Sequence, residues 1–277
     1  MTQGRRPDHV RRGLESLLRQ RDVDLDVVVV ANGCEPAELP PGVRAVALSD
    51  NVGAAAGRNA GVPHVRGELL LFLDDDASLA SDNALARLAS LFAAEPALGL
   101  VQPRVVDPSG APPPRRWVPR LRVGDRSRSS YVTAVWEGAV VTRREVFEQV
   151  GGWPEQFIYF HEGIDLAWRV WDAGYRVRYA GDVTAHHPAP TGARHEKLAY
   201  LSSRNRMLLA RCQLPLPLAV AHVAAWLLPT AARLRSLHEG REVVRGYIHG
   251  LREPCSARRL RWRTIWRMTR AGRPPVI

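Results

Sequence analysis

A doubly wound α/β fold, with a mixed, mainly parallel sheet and helices on both faces, is what this 277-residue chain predicts. Three observations predict it. Apolar runs of strand length, such as Leu69 to Leu73, read as strands buried on both faces. These runs alternate with stretches of helical period. The run at 69–73 also ends in Asp74, Asp75 and Asp76, at the carboxyl edge where open α/β sheets bind ligands.

Taken in order, Pro7 and Asp8 followed by Val10, Leu14, Leu17 and Leu18 predict a capped amphipathic helix. Leu25 to Ala31 predicts a buried strand, and Val43 to Leu48 a shorter one. Residues 51–63 are rich in glycine and alanine, with Arg58 and Asn59 at their centre. The strand at 68–73 follows, then a helix over 82–94 with Leu85, Leu88, Leu91 and Phe92 on one face, then a strand over 98–106. Residues 107–131, rich in proline, arginine and serine, read as a long surface loop. Thr133 to Thr142 predicts a strand, followed by a short helix to Val150 and a turn at 151–154. An acidic helix over 162–173 leads to a strand from Arg176 to Tyr179, and beyond about residue 195 the pattern is helical. A doubly wound domain that opens on a helix lacks the strand expected ahead of it. Met1 to Gly4 are too few to make one, so the first central strand reads as truncated. The expectation is that the natural chain starts upstream or that this form is less stable than its relatives.

The net charge is +11 and rests on arginine, since Lys197 is the only lysine. Codon composition in a GC-rich genome accounts for that bias, so arginine number alone carries no function. Its placement is more informative. Ten arginines between Arg241 and Arg273 face only Glu242 and Glu253, with Trp262 and Trp266 interleaved. Such a tail suits an anionic membrane surface; no nucleic-acid-binding module accompanies it, and nucleic acid is not expected as a partner. Leu214 to Leu234 is apolar but is broken by Pro215, Pro217, His222 and Pro229, which leaves runs too short to cross a bilayer. It reads as a helix in the membrane interface or one packed on the main domain. Residues 1–24 lack the apolar segment of a signal peptide. Cys34, Cys212 and Cys255 are odd in number and far apart, which predicts neither a disulfide framework nor a metal-binding pair and suits a reducing cytosol.

Three adjacent carboxylates at the end of a buried strand repel one another, and a divalent cation bound by hard oxygen ligands relieves that repulsion. Arg58 can offer a planar fork to phosphate or carboxylate. Glu162, Asp165 and Arg169 fall along one helix face, where Asp165 and Arg169 are spaced for an ion pair and Glu162 stands freer at the helix start. His186 and His187 point to opposite faces of an extended segment, so only one of them reaches a given ion.

The ordered set of motifs comprises Ala31-Asn32-Gly33, Asn51-Val52-Gly53 with Gly57-Arg58-Asn59-Ala60-Gly61, Asp74–Asp76, Trp136-Glu137-Gly138, Gly151-Gly152-Trp153, Glu162 to Arg169, and His186-His187. It resembles the family 2 glycosyltransferases of GT-A fold, particularly bacterial rhamnosyl- and galactofuranosyl-transferase-like members, over roughly residues 5–210. The resemblance implies a GT-A domain over 1–195, with a donor half to about residue 106 and an acceptor half over 132–195, and then a helical arginine-rich region over 196–277. It implies an inverting transfer of sugar from a nucleotide-diphosphate sugar to a hydroxyl of a glycan or glycolipid acceptor, assisted by Mg²⁺ or Mn²⁺. By the resemblance, Asp76 binds the metal, Asp74 holds the ribose or the metal, and Asp75 shapes the donor turn. His187 completes the metal shell, with His186 as competitor. Asn32, Arg58 and Asn59 fall on the donor side, and Trp136, Glu137, Gly138 and Trp153 line the acceptor pocket. Inversion needs a base, which is Glu162, with Asp165 as fallback.

Two positions depart from the family pattern: Gly163 stands where a second acid is usual, and Ala31 where an aspartate contacts the nucleobase. The expected setting is cytoplasmic, peripheral on the inner face of the cell membrane. A tailoring enzyme acting on a soluble small molecule or protein, and a non-catalytic sugar-nucleotide-binding relative, are the competing readings.

Overall fold

The alternation of apolar runs and helical stretches becomes a layered α/β architecture in the computed structural model, which describes residues 1–36, 38–190, 197–255 and 258–276. In chain order come α1 (Pro7–Leu18), β1 (Val28–Asn32), β2 (Arg44–Leu48), α2 (Ala54–Gly61), β3 (Leu69–Leu73) and β4 (Ser78–Leu79). Next are α3 (Ala84–Ala94), β5 (Leu98–Val106), β6 (Ser130–Tyr131), β7 (Ala139–Arg143), α4 (Arg144–Gln149), α5 (Glu162–Asp172) and β8 (Arg176–His186). Four helices close the chain: α6 (Leu198–Gln213), α7 (Leu216–Ala231), α8 (Leu237–Arg252) and α9 (Trp262–Arg270).

Five strands follow one another as β3-β7-β5-β8-β4, with β6 added on β8. β7 is antiparallel to both β3 and β5, while β5 and β8 are parallel. β3, β5 and β8 therefore run the same way and deliver their carboxyl ends to one edge. Asp74 follows β3 and His187 follows β8, so strand direction alone brings the acids and the histidine together. β8 is longer than the expected 176–179 strand, and its extension past a register shift at Pro103/Arg104 carries His187 to that edge. Apolar side chains cover both faces. Leu88 and Phe92 of α3 pack with Leu98, Val101 and Val141 on one side. Phe72, Phe147, Trp153 and Leu166 form the core on the other.

Three expectations are corrected. The strand expected over 133–142 begins only at Ala139, because residues before it bond elsewhere: the Trp136 N–H donates to the Gln102 side chain at 2.7 Å and Gly138 O accepts from Asp74 N at 2.9 Å. The 107–131 segment is not all surface, for Trp117 and Val118 are buried and Gln102 donates to Trp117 O at 2.7 Å. Cys212 and Cys255 are disulfide-bonded, although 43 residues apart, because α8 folds back along α6. The cysteines therefore lend no support to a reducing compartment.

α6 shares the main core, contributing Leu208 and Leu209 to the cluster that holds Leu166 and Phe147. The expected boundary between 195 and 196 lies outside the described residues. α7 carries the 214–234 apolar stretch with Pro229 inside it, and among the described residues no helix is long and apolar enough to cross a membrane. β1 and β2 pair in parallel as a separate sheet, to which Thr2 adds one parallel bridge at Ala31.

Candidate active site

Asp74, Asp76 and His187 converge at the shared strand edge, with one donor atom of each within 4.8 Å of the others. His187 Nδ1 lies 2.7 Å from Pro188 O, which fixes the proton on that nitrogen and turns Nε2 toward Asp76 Oδ1 at 2.8 Å. The rings of Trp136 and Trp117 meet His187 edge to face at 4.8 and 5.5 Å and hold its plane. Burial disfavours charge on both partners. The hydrogen bond and opposite charge outweigh it, so the Asp76 carboxyl lies below its ordinary range and the His187 imidazole above. Arg6 also pairs with Asp76. Two carboxylates and an imidazole with its far nitrogen already anchored make a donor set that fits a divalent cation such as Mg²⁺ or Mn²⁺. Asp75 points away from this group. Its Oδ2 accepts from Thr2 Oγ1 at 2.8 Å, and burial raises its pKa.

Arg58 lies buried on α2 beside the acids. Its Nη2 donates to Asp74 Oδ1 at 2.7 Å, and its guanidinium sits 5.1 Å over the Trp153 ring. Burial works against its charge, yet Asp74, Glu162 and Glu137 together hold its pKa above the ordinary value. Nη1 is buried with no hydrogen-bond partner among the described residues, which leaves one arm of the fork open.

Glu162 opens α5 and is 2% exposed. The two residues before it, Phe160 and His161, both lie in the left-handed region, at φ 71° and 72°. Non-glycine residues there cost on the order of 1–3 kcal/mol each and persist only where the surroundings impose them. Asn205 of α6 does so, donating to Tyr159 O at 2.6 Å and Phe160 O at 2.9 Å. Burial, then the charge of Glu137, raise the Glu162 pKa well above its ordinary value. Glu162 Oε2 is buried and unpartnered. Gly163 leaves no room for a side chain, since a Cβ there would lie 2.3 Å from Val135 O and 3.3 Å from Glu137 Oε2. The second acid missing from position 163 is thus matched by Glu137, which reaches Glu162 from the segment ahead of β7.

The remaining expected site residues make bonds or contacts within the chain. Asp165, the fallback base, is buried and bound by Arg169 at 2.5 Å and by Gln213. The Asn32 amide is used internally, accepting from Val52 N at 3.0 Å and donating to Gly53 O at 3.0 Å. Asn59 clamps the following turn, donating to Trp153 O and accepting from Trp153 N, both at 2.9 Å. Trp153, expected on the acceptor wall, lies in the core at 1% exposure, with Arg58 over one face and Phe72 at its edge. Trp136 is half-buried against His187, and Gly138 is required beneath it because a Cβ would lie 2.0 Å from the indole. His186 pairs with Ser78 in the sheet, away from the cation group. Asn205 and Gln213 escaped sequence reasoning, as both are polar positions in a helix whose pattern marks no face for them.

Residues 4–151, more than half of the chain, match the family described as Glycosyl transferase family 2. The pre-mycofactocin glycosyltransferase of Mycobacterium tuberculosis is 33% identical over 135 residues, covering 46% of this chain and 28% of that protein. The chain therefore spans less than a third of the length of the curated relatives it matches. Among solved structures, the mannosyltransferase PcManGT from Pyrobaculum calidifontis, in complex with GDP-Man and Mn²⁺, superposes with a TM-score of 0.59 at 19% identity, covering 98% of this chain and 81% of that one. GalNAc-T7 with UDP, GalNAc and Mn²⁺ gives 0.60 at 14% identity, covering 88% and 53%. At these identities the likeness is one of fold, and the fold is GT-A.

Proposed function

Because the chain belongs to glycosyl transferase family 2, we propose that it moves a sugar from a nucleotide-diphosphate sugar to a hydroxyl acceptor, with inversion at the anomeric carbon. The observation that carries this reading is the cluster of Asp74, Asp76 and His187 donors beside buried Arg58, which bonds Asp74 and also feels the charges of Glu162 and Glu137. Asp74, Asp76 and His187 would hold Mg²⁺ or Mn²⁺, which when bound supplies Lewis-acid stabilisation of the departing diphosphate. The open Nη1 of Arg58 donates to a phosphate oxygen while Nη2 keeps Asp74 in place. Glu162 in its ionised form takes the proton from the acceptor hydroxyl as that oxygen attacks. With the Asn32 amide occupied, the backbone around Ala31 and Gly33 reads the nucleobase.

The order of motifs supports a rhamnosyl- or galactofuranosyl-transferase-like member acting in cell-envelope polysaccharide or glycolipid synthesis. The exposed Trp262 and Trp266 beside the tail arginines support work at the cytoplasmic face of an anionic membrane. A thermal-shift screen of UDP-, dTDP- and GDP-sugars, each with and without Mn²⁺, tests the donor half of this reading. One donor class is expected to raise the melting temperature only with Mn²⁺ present, and Asp76→Asn to weaken that donor about 100-fold by calorimetry. The absence of any Mn²⁺-dependent donor shift, or an unchanged affinity in Asp76→Asn, would remove the proposal.

A further inference from the structure

A cavity of about 130 Å³ lies where α5, α6 and α7 meet, with His161, the residue before Glu162, in its wall. Arg206, Arg273, His161 and His222 line it together with Trp168 and Trp226, and none of its lining residues is an aspartate or glutamate. At liquid density the space holds on the order of four waters, which is also room for one small oxyanion. Three arginines are buried among the described residues: Arg58, Arg204 and Arg206. Arg58 pairs with Asp74 at 2.7 Å and Arg204 with Glu253 at 3.0 Å, as a buried charge requires. Arg206 is the exception. It donates to Thr230 Oγ1 at 3.0 Å and lies 4.6 Å over the Trp226 ring, both neutral partners, and no carboxylate among the described residues pairs with it.

The histidines complete the chemistry of this cavity. His222 is 6% exposed, and its Nδ1 lies 3.2 Å from Pro275 O, which places the ring proton on that nitrogen. Its Nε2 is then a lone-pair acceptor, and it is buried with no partner among the described residues. His161 Nδ1 is buried and unpartnered in the same way. Burial, then the charge of Arg206, hold both imidazoles below their ordinary range, His222 at about 4, so both are neutral near pH 7. The cavity thus offers a fixed cation that donates and a neutral nitrogen that accepts. A ligand that answers both carries a negative oxygen and a hydroxyl on one small centre. Hydrogen phosphate has both, whereas sulfate keeps no proton at this pH.

The geometry points to a phosphate site: the cavity takes one hydrogen phosphate group, inorganic or on a small monoester, with an oxygen on Arg206 and the P–OH donated to His222 Nε2. The phosphate supplies Arg206 with the counter-charge that Asp74 and Glu253 give Arg58 and Arg204. His161 ties the site to the turn ahead of Glu162, where Phe160 and His161 hold left-handed backbone, so an occupant that touches His161 adds a hold on that turn. Arg206 and His222 belong to neither the cation group nor the donor side of the proposed reaction. The inference therefore stands apart from that reaction, and its readout is binding alone.

Calorimetry on the whole chain at about pH 6.5, where a phosphate monoester still keeps its proton in part, compares inorganic phosphate, glycerol 3-phosphate and sulfate. One phosphate per chain is expected to bind saturably, about tenfold or more tighter than sulfate. Tighter binding of glycerol 3-phosphate than of inorganic phosphate assigns the site to monoesters, and the reverse order assigns it to the free ion; either order supports the proposal. Arg206→Gln and His222→Phe should each weaken phosphate by about tenfold or more. Arg258→Gln with Arg263→Gln, on the exposed tail, should leave it unchanged. Should Arg206→Gln not fold, ¹⁵N-histidine spectra of the parent chain take its place: phosphate must shift the His222 Nε2 resonance saturably, and sulfate at the same concentration must not. Equal affinity for sulfate, binding that survives Arg206→Gln and falls with the tail arginines, or an unmoved His222 resonance overturns the proposal.

Discussion

Glu162 holds its proton to a higher pH than an ordinary glutamate because burial and then the Glu137 charge both disfavour a second anion, and Arg58 offsets only part of this. The base form is therefore the minor one at low pH, and kcat/KM should rise with pH along an acid limb set by the pair. Glu137→Gln removes the neighbouring charge, so the limb should move to lower pH, read from the pH profile of donor turnover. An unmoved limb would take Glu137 out of the pair. Stability follows the opposite sense to that of a salt-bridged acid. A carboxyl whose folded pKa is raised contributes stability that is fully present below the unfolded value near 4.5 and is lost as pH rises through the folded value. Glu162→Gln cancels this loss, so its advantage in melting temperature over the parent should grow from pH 5 to pH 9. A constant difference across that range would mean that Glu162 titrates normally.

At the scale of elements, α6 and α8 form a close helix pair, and its tightness depends on two glycines. A Cβ on Gly246 would lie 2.4 Å from Tyr200 O, and one on Gly250 2.4 Å from Arg204 O. Neither backbone carbonyl can yield without moving a helix. Gly250→Ala is expected to destabilise by about 1–3 kcal/mol, seen as a fall of several degrees in thermal denaturation. It should also loosen the Asn205 clamp on the loop ahead of Glu162, since Arg204 and Asn205 are neighbours on α6. An alanine variant that melts with the parent would show the helices to be farther apart than described. Much of the element order was legible in the sequence because apolar runs and helical periods are local signals. α1, β3, α3, β5 and α5 begin and end within a few residues of where their patterns place them. Less legible was whatever depends on residues far apart in sequence. Nothing local tells that Cys255 returns to Cys212, that Trp117 is buried against His187, or that Glu137 faces Glu162. The carboxylates of the site were visible as types, whereas Trp153 could not be told from a sugar platform until Arg58 was found lying over it.

For the molecule as a whole, charge and apolar exposure concentrate in the carboxyl-terminal helices. On α9, Ile265 and Met268 turn inward while Trp262 and Trp266, four residues apart, are 55% and 65% exposed. Exposed arginines flank them, including Arg258, Arg259, Arg263 and Arg270. α7 adds Leu216, Val220 and Leu228 to the apolar surface. Tryptophan at the headgroup level with arginine beside it is the chemistry of an interfacial anchor, and each arginine near an anionic surface contributes roughly 1 kcal/mol. The chain is therefore expected to sediment with vesicles containing phosphatidylglycerol at low salt and to be released as ionic strength rises, because the attraction is screened over about 10 Å at 0.1 M. Replacing Arg258, Arg259, Arg263 and Arg270 together by glutamine should weaken that binding at least 100-fold, and Trp262→Ala with Trp266→Ala should weaken it even at low salt. Both sets lie on the surface, so the melting temperature should stay within about 2 °C of the parent. Four arginine replacements that leave sedimentation unchanged would show that the tail meets something other than an anionic lipid surface, and the acceptor would then be sought among soluble hydroxyl compounds.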